Sequence, residues 1–307
     1  MSVDLKKIST EQRNPNTYDI DCLDTIDILK KINNEDKIVA YAIEQVLPQI
    51  ASVVDIVYES FLNGGRLIYM GAGTSGRIGI LDAVECPPTY GVDYEMVQCL
   101  MAGGSTAFVK AKEGAEDSYD DAINDLKNIN ISSKDVVIGI AASGRTPYVI
   151  GGVKFAKEVG AKTACITTSQ NSVLELSVDF PIVAVTGAEV ITGSTRMKSG
   201  TAQKMICNMI STSAMIKMGK VYENLMIDVK ATNEKLVSRG INIICSILDV
   251  DKDEAAFLLD KYKTIKKVIF SSFTGEENID KIDLYLDKTK GNIRKSIKLY
   301  KENENEN

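Results

Sequence analysis

Apolar and polar positions alternate along this chain in two rhythms. The first 35 residues are mostly polar and include the loop-like run Arg13-Asn14-Pro15-Asn16. Asn33-Asn34-Glu35-Asp36 predicts a helix start. Ile38 to Leu62 then carries apolar residues at helical spacing, until Asn63-Gly64-Gly65 stops it. Five β-rich apolar runs follow: Leu67–Met70, Met96–Met101, Val136–Ala141, Thr163–Thr167 and Pro181–Val185. Helical patterns separate most of them. Near-continuous apolar strands alternating with helices predict an α/β fold, with a parallel sheet covered on both faces. Ligands of such sheets bind beyond the carboxyl ends of the strands. A long apolar helix is expected from Thr201 to Met218, where Met205, Met209, Met215 and Met218 fill a core or a subunit interface. From Asn233 on the pattern is helical with no further strand, and Lys301 to Asn307 is a polar tail expected to fray. The chain thus divides into an N-terminal arm and helix (1–52), a sheet domain (53–220) and a small all-helical subdomain with a polar tail (221–307).

Composition narrows the chemistry. The 307 residues carry a net charge of −6, which argues against a broad nucleic-acid surface. No apolar run reaches the roughly 20 residues a membrane span needs, and the polar Met1–Arg13 is not expected to be a signal peptide. Cysteines stand at positions 22, 86, 99, 165, 207 and 245, never at C-x-x-C spacing, so a metal site is not expected and a reducing cytoplasm is. Histidine is absent. Ser-His-Asp and Cys-His systems are therefore excluded, and acid–base work falls to Asp, Glu, Lys, Tyr or Cys.

Three strand ends carry Gly/Ser/Thr loops: Gly73-Thr74-Ser75-Gly76, Ala142-Ser143-Gly144-Arg145-Thr146, and Gly193-Ser194 through Gly200-Thr201. Hydroxyls and amides at helix starts either cap the helix or hold an anion. One such loop favours capping; three at one sheet edge favour a shared anion pocket. Gly71-x-Gly73-x-x-Gly76 also fits a dinucleotide fingerprint, but the second strand ends in Met101-Ala102-Gly103-Gly104 and offers no acid for a ribose. No Gly-Lys-Ser/Thr follows either, so the Walker pattern is missing.

Two carboxylates stand out. Glu85 follows the apolar helix Ile78–Val84, which Pro87-Pro88 is expected to end. There it would face the negative end of the helix dipole, which favours a protonated carboxyl. Glu116 lies in Glu113-Gly114-Ala115-Glu116-Asp117, which by composition is a solvated acidic helix face. Gly114 is costly inside a helix and marks a break where a ligand could come close. Glu113 would share a helical face with Glu116.

These residues resemble a known family. The strand–GAGTSGR–helix unit with the later ASGRT loop looks like the sugar isomerase (SIS) phosphosugar-binding fold. Gly71–Gly91, GAGTSGRIGILDAVECPPTYG, is similar to the signature of N-acetylmuramic acid 6-phosphate etherases. Further matches are Thr10-Glu11-x-Arg13-Asn14-Pro15, Glu113–Asp117, Gly187–Lys204 (GAEVITGSTRMKSGTAQK, shared with glucokinase regulatory proteins), Asn224-Leu225-Met226 and Ala231–Leu236. The resemblance is strong over residues ~10 to ~240 and looser beyond.

The resemblance implies a three-layer α/β/α sandwich with a five-stranded parallel sheet, needing no cofactor and no metal. It implies cleavage of the D-lactyl ether of a phosphorylated amino sugar by elimination and water addition. Glu85 would protonate departing lactate and then activate water, and Glu116 would take the C2 proton. Gly73, Thr74, Ser75, Gly76, Ser143, Gly144 and Thr146 would hold the phosphate. The phosphate anchor and the acid Glu85 would then share one short helix. Ser194 would add to the phosphate site, Arg196 and Lys198 would hold the phosphate or the lactyl carboxylate, and Glu113 the sugar hydroxyls. It also implies a homodimer. Two other readings stay open: a non-catalytic sugar-phosphate sensor like the glucokinase regulatory protein, and an aldose–ketose isomerase of the same fold. The sensor resembles two such domains in tandem, and an isomerase would not explain the ECPPT and EGAED motifs.

Overall fold

A computed structural model describes residues 9–110, 112–228 and 234–305. The first eight residues, Ala231-Thr232-Asn233 of the last motif and the end of the polar tail lie outside them. The chain forms two compact units, Met1–Val84 with Tyr94–Ser211, and Glu85–Asp93 with Thr212–Asn307.

The first unit is built on β1 (Leu67–Gly71), β2 (Val97–Met101), β3 (Val136–Ile140), β4 (Lys162–Thr167) and β5 (Phe180–Val183). All neighbours pair in parallel, in the order β2-β1-β3-β4-β5. The strands match the five expected runs within two residues at each end. β1 and β3 are buried at every position, as strands covered on both faces must be. Helices α1 (Thr25–Glu44), α2 (Leu47–Leu62), α3 (Gly73–Tyr90), α4 (Tyr119–Asn128), α5 (Pro147–Val159) and α6 (Lys198–Lys217) accompany the sheet. On one side α4 and α5 pack Leu126, Tyr148, Val149 and Val153 onto Ile68, Met70 and Val137.

Three helix expectations are corrected. The helix expected to start near Asn33 begins at Thr25, capped by the Asp24 carboxylate accepting from Asp27 N. It does not run unbroken to Leu62: Pro48 has no N–H to donate, so the chain breaks at Gln45-Val46 and restarts with Pro48 in the first turn. Nor do Pro87 and Pro88 end α3, which continues to Tyr90. Cys86 and Tyr90 are buried, and Tyr90 Oη donates to Thr212 Oγ1 at 3.2 Å, so packing holds the last turn although two amide donors are missing.

The second unit adds a short hairpin, β6 (Val221–Tyr222) and β7 (Leu225–Met226), and then helices α7 (Glu234–Leu248), α8 (Lys252–Tyr262), α9 (Ile265–Thr274), α10 (Ile279–Lys288) and α11 (Ile293–Asn305). Its core gathers Ile244, Val268, Ile269, Phe270, Ile282 and Ile293, with Tyr300 edge-on to Phe270 at 5.5 Å. The expected frayed tail is instead helical through Asn305. No single helix among the described residues is long and apolar enough to cross a membrane.

Candidate active site

The carboxyl end of β1 turns directly into α3. Gly71 and Gly76 are needed because strand and helix touch there: a Cβ on Gly71 would stand 2.6 Å from Gly76 N, and one on Gly76 would stand 2.8 Å from Met101 Cγ. The dinucleotide-like spacing is thus explained by close backbone packing. It leaves the first turn of α3 facing a cleft of roughly 210 Å³.

Ala72, Gly73, Arg77, Met101, Ala102, Ala107, Lys112, Glu113, Ala115 and Glu116 line the cleft. Glu116 sits in a single 3-10 turn, Ala115–Asp117, not on a helix face. Gly114, just before it, has φ +75°, and no atom lies within 4 Å of where its Cβ would be. The left-handed backbone favours glycine there, and the space beside it is open. The turn swings Glu113 and Glu116 into the same cleft without helical i, i+3 spacing.

Arg77 and Lys112 are the residues that sequence reasoning passed over. Arg77 donates through Nε to Phe108 O at 2.8 Å and through Nη2 to Ala107 O at 2.9 Å, which fixes its guanidinium at the cleft wall. The available signal was its place one turn into α3, in the GAGTSGR run. A cleft with two cations and two carboxylates can bind an anionic ligand and move protons.

Behind the cleft the three predicted loops are tied together. Ser75 Oγ donates to Gln203 Oε1 at 2.9 Å, joining the first turn of α3 to α6. Thr168 Oγ1 lies 2.9 Å from Ser199 Oγ and 3.1 Å from Ala142 O, joining α6 to the second loop through the end of β4. Thr74 Cγ2 approaches Gly200 at the start of α6. Gly144 packs on Ser172, and Thr146 stands at the N-cap of α5 without a side-chain cap bond. Ser143 is half-buried beside it. Ser194 lies in the turn before α6, with its amide donating to Ile191 O at 2.9 Å, and Arg196 is exposed.

Lys198 is not where a ligand needs it. Its ammonium lies 2.6 Å from Glu35 Oε2, with side-chain exposures of 2% and 5%, and also donates to Ala188 O at 3.0 Å. Glu35 feels burial pushing its carboxyl up, but hydrogen bonds from Lys198, Asn16 and Asn14 outweigh it and hold the group below its usual value. Glu189, fully buried, accepts from Lys198 N, Ser199 N and Ser199 Oγ and so caps α6. The arm motif has the same kind of role: Asn14 Nδ2 donates to Ala188 O and Gly193 N to Thr10 O, while just after the motif Asn16 Nδ2 donates to Glu35 and Thr17 Oγ1 to Val190 O. Much of the Thr10–Pro15 and Gly187–Lys204 similarity is therefore scaffold for the third loop.

Glu85 is exposed on α3, five residues before its end, so the helix-terminus argument does not apply to it. It stands twelve residues beyond Gly73 on that helix, about 18 Å of rise, and is not among the cleft residues.

Comparison with known proteins adds identity to this geometry. Residues 49–157 match the model of the glucokinase regulatory protein N-terminal SIS domain, and residues 112–213 match the SIS domain model. The N-acetylmuramic acid 6-phosphate etherase of Clostridium beijerinckii is 51% identical over 296 residues, 96% of this chain and 97% of that one. Its namesake in Clostridium botulinum strain Langeland is 54% identical over 299 residues, 97% and 98% of the two chains. Among solved structures, a phosphoheptose isomerase from Francisella tularensis matches with a TM-score of 0.45 and 15% identity, covering 62% of this chain and 100% of that one. A phosphoheptose isomerase from Neisseria gonorrhoeae matches with a TM-score of 0.44 and 15% identity, covering 60% and 97%.

Proposed function

The chain belongs to the N-acetylmuramic acid 6-phosphate etherase family, with an SIS fold, and from that premise we propose that it converts N-acetylmuramic acid 6-phosphate and water into N-acetylglucosamine 6-phosphate and D-lactate, as a carbon–oxygen lyase. The observation that carries this reading is the cleft in which Glu116 and Glu113 face the first turn of α3 beside Arg77. A helix start attracts the phosphate, and the carboxylates supply the proton chemistry of a chain without histidine.

In the open-chain aldehyde, Glu116 takes the proton from C2. The electron pair forms the C2–C3 double bond, and the C3–O bond breaks. Glu85 gives its proton to the departing lactate oxygen. Ionised Glu85 then takes a proton from water as the oxygen adds to C3, and Glu116 returns its proton to C2. Both glutamates end as they began. Ser75, Ser143 and Thr146, with the amides of Gly73 and Thr74, hold the phosphate in this reading, while Gly76 and Gly144, whose amides donate to Ala72 O and Ala141 O, shape the two loops. Glu113 holds sugar hydroxyls, and Ser194 and Arg196 receive the lactyl carboxylate.

Glu85 must come within about 3 Å of the lactyl oxygen to act. The roughly 18 Å of α3 between it and Gly73 favours a homodimer in which Glu85 enters from the partner subunit. Six cysteines, all present as thiols, support a cytoplasmic site of action. The test is to incubate the protein with N-acetylmuramic acid 6-phosphate and assay D-lactate, with Glu85→Gln and Glu116→Gln in parallel. Release by the wild type and loss in both variants is expected; tight sugar-phosphate binding without lactate release contradicts the reading.

A further inference from the structure

Gln203 on α6 is 1% exposed. Its Oε1 accepts the Ser75 hydroxyl, while its Nε2 is buried with no hydrogen-bond partner among the described residues. A buried amide donor left unpaired carries its full desolvation cost, so such groups are rare and call for a reason. Nε2 and Oε1 share one carbon, so the orphan donor lies close to Ser75 in the first turn of α3.

The proton count gives the reason. A serine hydroxyl has one proton and two lone pairs. While that proton points at Gln203, Ser75 offers a ligand lone pairs alone. The oxygens of a phosphate dianion only accept. This arrangement is therefore the wrong one for holding phosphate. Turning the amide by half a rotation directs Nε2–H at Ser75 Oγ, moves Oε1 into the unpartnered place and frees the serine proton for the ligand. Amide O and N are alike in size, so the turn needs no extra room.

We propose that Gln203 is a positioning residue for the substrate phosphate, whose amide turns over when the phosphate arrives and so sets which way the Ser75 hydroxyl donates. This rests on the reading of Ser75 as a phosphate ligand. The residue acts through Ser75 and does not touch the reacting atoms.

Calorimetry with N-acetylglucosamine 6-phosphate tests it on the wild type and on Ser75→Ala, Gln203→Glu and Gln203→Met, each checked for folding by circular dichroism. Ser75→Ala should weaken binding about 10- to 100-fold, the value of a hydroxyl donating to a charged group. Gln203→Glu can only accept, keeps the serine proton locked, and should weaken binding at least as much. Gln203→Met holds no proton and should cost only about threefold. The Gln203 side-chain amide NMR signal, assigned by its loss in the Met variant, should move when the ligand saturates. Binding by Ser75→Ala equal to wild type overturns the phosphate reading of Ser75, and this proposal with it. A weakened Ser75→Ala, with Gln203→Met equally weakened or an unmoved amide signal, overturns the proposal alone. Should Gln203→Glu fail to fold, the Met variant and the amide signal decide.

Discussion

Lys198 Nζ and Glu35 Oε2 meet at 2.6 Å with both side chains almost wholly excluded from water, so the one lysine of the third loop is spent inside the fold. Removing either partner strands a buried charge. Lys198→Ala is expected to cost about 3–5 kcal/mol in urea unfolding, and the double variant Glu35→Gln/Lys198→Met distinctly less. Because Glu35 is held below its usual value, its contribution is present at neutral pH and is lost as pH falls through the folded value, under 4.5. A Lys198→Ala protein of unchanged stability would return the lysine to the list of ligand contacts.

Asp82 carries a second buried charge, with the opposite balance. Its carboxylate accepts from Asn208 Nδ2 at 2.6 Å, Tyr69 Oη at 3.0 Å and Ser211 Oγ at 3.0 Å, pinning α3 to β1 and α6. Burial still outweighs these bonds and holds the group above its usual 3.8. A raised carboxyl favours the folded state below the unfolded value, and that advantage is lost as pH rises through the folded value. The urea midpoint of Asp82→Asn relative to wild type should therefore improve from pH 4 to pH 8. A difference that stays flat across that range would contradict the assignment.

Gly71→Ala tests the strand–helix junction. Its new methyl would meet the Gly76 backbone, which has no rotamer to give. A loss of about 1–3 kcal/mol is expected, together with weaker sugar-phosphate binding as the first turn of α3 is pushed away. A variant as stable as wild type would show that the packing is looser than the geometry indicates.

The sheet was legible because each of its strands is an apolar run bounded by turn residues, and Leu67–Gly71 could hardly be anything else. Helix ends were less so. α1 begins with the exposed Ile26 and Leu29, which give no clean apolar face. The Pro87-Pro88 pair obeys a local rule that burial of Cys86 and Tyr90 overrides. The hairpin strands β6 and β7 are two residues each, too short to show alternation. Glu116 and Gly73, picked out by their motifs, both line the cleft. Lys198 was misassigned because sequence does not reveal that a charge is buried opposite another, here Glu35, 163 positions away.

Subunit exchange tests the dimer reading. Glu85→Gln and Glu116→Gln proteins, each inactive alone, should regain lactate release when unfolded together and refolded as a mixture. A hybrid dimer would hold one site with both glutamates intact. If Glu85 and Glu116 of the same chain work together, the mixture should stay inactive.

The most direct test of the central claim follows oxygen. The wild-type protein is supplied with N-acetylmuramic acid 6-phosphate in H₂¹⁸O, and both products are analysed by mass spectrometry. Elimination and water addition at the Glu116 cleft predict label at C3 of N-acetylglucosamine 6-phosphate and none in the lactate hydroxyl. Label appearing only in lactate would mean that the other ether bond breaks, and the account given for Glu85 and Glu116 would be wrong.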